Sequence, residues 1–70
     1  MKHIATISFD DPDEKCSASV IVRADDEHVV VALTLEKDGD IQVVMPRHAA
    51  EQLHEALGRA TSRDFDAPSQ

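Results

Sequence analysis

The sequence predicts an α+β fold: a four-stranded antiparallel β-meander with one C-terminal α-helix packed on one face (ββββα). Three observations predict it. Four segments alternate apolar and polar residues with period two, the connections between them are short and polar, and a single segment of helical period follows the last strand. Consecutive strands joined by short loops usually pair, so a meander is the simplest arrangement.

Residues 3–9, HIATISF, set Ala5, Ile7 and Phe9 on one side and Ile4, Thr6 and Ser8 on the other. The polar stretch 10–15, DDPDEK, with Pro12 as a breaker, ends this strand. Residues 16–24, CSASVIVRA, continue the alternation, with Cys16, Ala18, Val20, Val22 and Ala24 on one face and Ile21 and Arg23 on the other. After a turn at 25–27, Val29, Val31, Leu33 and Leu35 point one way and Val30, Ala32 and Thr34 the other. Asp38-Gly39 tolerates positive φ and predicts a two-residue type I′ hairpin turn. Strand four then places Ile41, Val43 and Met45 toward the core and Gln42 and Val44 outside.

Pro46 suits the first turn of a helix, where its missing N–H costs nothing. From there to residue 62, Ala49, Ala50, Leu53, Leu57 and Ala60 recur at three- and four-residue spacing, an amphipathic stripe. Glu55 stands four residues before Arg59, the favourable order for a helical ion pair. Gly58 weakens the last turn by about 1 kcal/mol relative to Ala. Residues 1–63 are expected to form one domain and 64–70 a flexible tail.

Size and charge narrow the function. Seventy residues bury only about 60% of their unfolded surface and are held by roughly 4–10 kcal/mol, which leaves little for an enclosed active site. Net charge is −7, and residues 10–40 carry all of the excess, with ten acids against three cations. In a meander, loops 10–15 and 37–40 share one end of the sheet, so Asp10, Asp11, Asp13, Glu14, Asp38 and Asp40 gather there. A one-signed patch steers the approach of an oppositely charged partner. Direct binding to nucleic acid is disfavoured, because phosphates need cations and the chain has no Trp or Tyr and only two Phe for stacking.

Chemical signatures are missing. His48 and His54 lie six apart on the helix and point in different directions. His3 and His28 open different strands, with Cys16 the one thiol in the chain, so no metal site is expected. The acidic stretches lack the spacing of a calcium loop, the serines lack a nucleophile context, and two glycines make no phosphate loop. We expect no enzyme activity and no cofactor. A lone cysteine and the lack of a signal peptide or a ~20-residue apolar run point to a cytoplasmic protein without a membrane segment.

The face turned from the expected helix carries Ile21, Val30, Ala32 and Val44 on adjacent strands, an apolar strip of the kind that marks an interaction site. In size and charge the chain resembles the small acidic proteins that phages use against host machinery, including anti-CRISPR proteins and inhibitors of bacterial RNA polymerase. That resemblance implies a non-enzymatic inhibitor or regulator docking on a larger, basic, nucleic-acid-handling protein. The alternative is a homodimeric structural or regulatory module, such as an antitoxin or accessory subunit, paired through its helix-free sheet face.

Overall fold

A computed structural model describes residues 1–62 and has the expected ββββα order. Strands β1 (Lys2–Asp11), β2 (Cys16–Ala24), β3 (His28–Leu35) and β4 (Gly39–Pro46) form one antiparallel sheet in the order β1-β2-β3-β4, and helix α1 (Arg47–Ser62) follows. The end of the expected domain at Arg63, and the tail 64–70, lie outside the described residues.

Register carries the alternation across all four strands. Ile7, Val20, Leu33 and Ile41 stand in one row, and Ala5, Val22, Val31 and Val43 in the next. On the opposite face, Arg23, Val30 and Val44 form a row, with Ile21, Ala32 and Gln42 beside it. One irregularity interrupts β1: His3 pairs with Arg23 and Ala5 with Val22, so Ile4 is an extra residue in a β-bulge. His3 Nε2 and the Thr6 hydroxyl hydrogen-bond at 2.8 Å beside it.

Each connection has its own chemistry. Between β1 and β2, the Lys15 N–H donates to the Asp11 carbonyl at 2.7 Å, and the Asp13 and Glu14 N–H groups donate to Asp11 Oδ1. Lys15 closes this loop with φ 58°, left-handed backbone uncommon for a residue with a side chain. Between β2 and β3, Asp25 Oδ1 accepts the N–H groups of Glu27 and His28 at 2.9 and 2.8 Å, an Asx turn.

The β3–β4 turn departs from the type I′ expectation. That turn needs positive φ at both central residues, whereas Gly39 alone has it, at 86°. The Asp38 N–H instead donates to the Leu35 carbonyl at 3.2 Å. The loop is longer than two residues, and the pairing of Leu33 with Ile41 is preserved. Pro46 also differs: it is the last residue of β4, opposite His28, and the helix starts one residue later. At that position Pro46 occupies an outer strand, where a missing N–H is tolerated.

The helix order is as expected, but its cover over the sheet is small. Helix α1 touches only β3 and β4 and has no buried residue. Its first turns rest beside the β2–β3 turn, where Arg47 Nη1 donates to the Asp26 carbonyl at 3.3 Å. Ala24, Val29, Ala50 and His54 line a shallow groove there. Ala49 and Ala50 are half-buried, and every later helix residue through Ser62 is exposed. The Thr61 hydroxyl donates to the Leu57 carbonyl at 2.9 Å, and the helix runs through Gly58 to Ser62. The Cα radius of gyration is 14.1 Å, against about 11 Å for a compact chain of this length.

Candidate protein-binding surface

With the helix held at one end, the face expected to be the core is open. Ile7, Phe9, Leu33, Ile41 and Val43 are each between 46% and 60% exposed. Ala5, Ala18, Val20, Val22, Val31 and Leu35 between them are half-buried. Leu33 lies on a central strand, where neighbours screen it on both sides, and it is still 47% exposed. Among the described residues, then, nothing lies over this part of the sheet.

The strip expected to be open is the more protected one. Val30 is the most buried residue at 4% exposure, which corrects its assignment to an exposed strip. It sits on central strand β3 between Arg23 and Val44, near the end of the sheet at which α1 contacts β3 and β4, whereas Leu33 lies farther from the helix. Ile21 and Ala32 are half-buried, and Val44, on the outer strand β4, is 56% exposed. Alternation identifies which residues share a face; it carries no information about which face the helix leaves open. Cys16, at the start of β2, is the other buried apolar residue among the described residues.

At the end away from the helix, the acidic residues come together as expected. Lys37 Nζ donates to the Glu14 carbonyl at 3.1 Å, which ties the β1–β2 loop to the β3–β4 loop. The Glu36 N–H donates to the Ser17 carbonyl at 3.0 Å, and Glu36 Oε1 accepts the Ser17 N–H at 3.4 Å. Asp10 and Asp11 belong to β1 rather than to the loop, and Asp40 to β4. Asp11 is half-buried and holds its own loop together. Asp10, Asp13, Glu14, Asp38 and Asp40 are exposed.

Here the open apolar face and the acidic end meet. A shallow concavity of about 390 Å³ has Phe9, Ala18, Val20, Leu33, Leu35 and Ile41 among its apolar lining and Asp11, Asp38 and Asp40 among its polar residues. Apolar contact area beside one-signed charge suits recognition of a protein surface more than it suits acid–base chemistry, which needs carboxylates withdrawn from water. The carboxyl of Asp25 lies at the opposite end and is held below the usual carboxylate range. The Glu27 N–H is the larger cause and the His28 N–H the next, since both donate to the ionised form.

No set of three or more His, Cys, Asp or Glu side chains among the described residues is placed to hold a metal ion. No helix among them is long and apolar enough to cross a membrane. Comparison with protein-family models, curated proteins and solved structures finds no match.

Proposed function

We propose that this chain is a non-enzymatic protein-binding module that presents its open sheet face and its acidic end to other proteins. The observation that carries this reading is the concavity at Phe9, Leu33 and Ile41, apolar inside and flanked by Asp11, Asp38 and Asp40. The two surfaces act differently. Exposed aliphatic area gains free energy from any well-fitting cover, at roughly 25 cal/mol per Å² removed from water. The acidic end accelerates the approach of a cationic surface and sets its orientation. A small chain that docks on a larger basic protein in this way is suited to inhibit or regulate it, as the likeness in size and charge to phage inhibitors implies.

Affinity capture from a cell lysate at low and moderate salt tests the charged docking. Asp10→Asn, Asp13→Asn and Glu14→Gln together remove three charges, and Asp11 is retained because it holds its loop. Proteins retained by the wild type at low salt should be released at moderate salt and lost by the triple variant. Equal retention by both forms would remove the acidic end from the reading.

A further inference from the structure

The open sheet face and the projecting helix are complementary, and both belong to the same chain. The helix carries Leu53, Ala56, Leu57 and Ala60 at i, i+3, i+4 and i+7, one stripe, and all four are exposed. Leu53 and Leu57 are 40% and 55% exposed. An amphipathic helix with its apolar stripe in water, beside a sheet with its apolar face in water, leaves two halves of one core unjoined. Its attachment beside the β2–β3 turn holds α1 away from its own concavity at the opposite end of the sheet.

The two halves match in kind: Ile7, Phe9, Leu33, Ile41 and Val43 on the sheet and Leu53 and Leu57 on the helix are each at least 40% exposed. Charge permits the pairing: Arg59, 3.7 Å from Glu55 on its own helix and still 64% exposed, lies in the last helical turn, and the concavity is flanked by Asp38 and Asp40.

We infer that the cover is a second copy of this chain, related by a two-fold axis across the strands. Leu53 and Leu57 of each helix pack into the acidic-end concavity of the other copy. A two-fold operation suits this geometry because the helix attaches at one end of the sheet and the concavity lies at the other. Each copy then supplies what its partner lacks, and the interface is isologous. The inference rests on reading the open sheet face as a protein-binding surface.

Light scattering over a range of protein concentrations, combined with disulfide trapping, tests it. Chains carrying Leu57→Cys are mixed with chains carrying Ile41→Cys, both on a Cys16→Ala background, and oxidised. The expected result is a dimer mass and a covalent dimer in the mixture. Leu53→Asp with Leu57→Asp should raise the dimer dissociation constant at least a hundredfold. Far-UV circular dichroism should stay folded, because the helix has no buried residue in the single chain. A monomer mass at every concentration would overturn the second copy. If that monomer captured other proteins and lost them on Ile41→Asp substitution, the binding reading would stand without it. A dimer that gives no 57–41 disulfide, or that survives the double aspartate substitution, would overturn the helix-in-concavity arrangement.

Discussion

Val30 and Val44 are register partners on adjacent strands and point to the same face, yet one is 4% exposed and the other 56%. Truncating each to Ala deletes the same two methyl groups, so the pair isolates burial as the variable. At about 0.8 kcal/mol per buried methylene, Val30→Ala loses roughly 1.6 kcal/mol of transfer free energy. A cavity left in the sheet raises that to about 2–2.5 kcal/mol. Val44→Ala, with less than half of its surface buried and no closed cavity, costs about 0.7 kcal/mol on the same scale. Against a total of roughly 4–10 kcal/mol, the first is a large fraction of the stability and the second is small. The chain has no Trp or Tyr, so urea unfolding is best followed by far-UV circular dichroism at one fixed protein concentration. With a urea slope near 1 kcal/mol per molar for so small a chain, the midpoint should fall by about 2 M for Val30→Ala. For Val44→Ala it should fall by about 0.7 M on the same slope. Equal shifts would refute the reasoning, because they would mean that Val44 is covered as fully as Val30.

Two further outcomes are expected. Gly58→Ala should stabilise the fold by up to about 1 kcal/mol. An added Cβ meets nothing within 4 Å and the backbone there is ordinary helix, so no penalty offsets the gain; the urea midpoint checks it. For Asp25, the backbone N–H groups of Glu27 and His28 hold the folded-state carboxyl below its ordinary value. Its contribution is therefore complete above the unfolded pKa and is lost as pH falls through the lower, folded value. Protection of the Glu27 and His28 amides, the two donors to Asp25 Oδ1, measured as exchange relative to the intrinsic rate at the same pH, should fall as the pH drops through that lowered value. Asp25→Ala should show fast exchange there without this additional acid step.

Strand order and the side-chain sides of β2, β3 and β4 were legible in the sequence because those strands alternate cleanly and the connections are short; the bulge in β1 was not. The gathering of acids at one end followed from topology alone, and the Lys37–Glu14 contact realises it. The β3–β4 turn was misread because Asp-Gly serves turns of several lengths, and only the backbone shows that Asp38 lacks positive φ. The larger miss concerns cover. An apolar stripe at 49, 50, 53, 57 and 60 says that a helix needs a partner surface, but not that the surface belongs to the same sheet. The direction of α1 is set locally, by the turn out of β4 at Pro46 and the Arg47–Asp26 contact. No hydrophobic pattern encodes that direction, so neither the exposure of Leu33 and Ile41 on the expected core face nor the burial of Val30 was legible.

The bulge at Ile4 has a consequence for how the sheet can grow. β1 and β4 are the two edge strands, each with a row of backbone groups free to pair with another chain. On β1 the extra residue at Ile4 breaks the ladder spacing, with Lys2 and His3 on one side of it and Asp10 and Asp11 at the far end. On β4 the run opens with Gly39 and Asp40 and ends at Pro46, which has no N–H to donate. Extension by strand addition, the route to open-ended fibres, is thus obstructed on both sides. For a sheet so thinly covered, spoiled edges disfavour growth into a cross-β assembly.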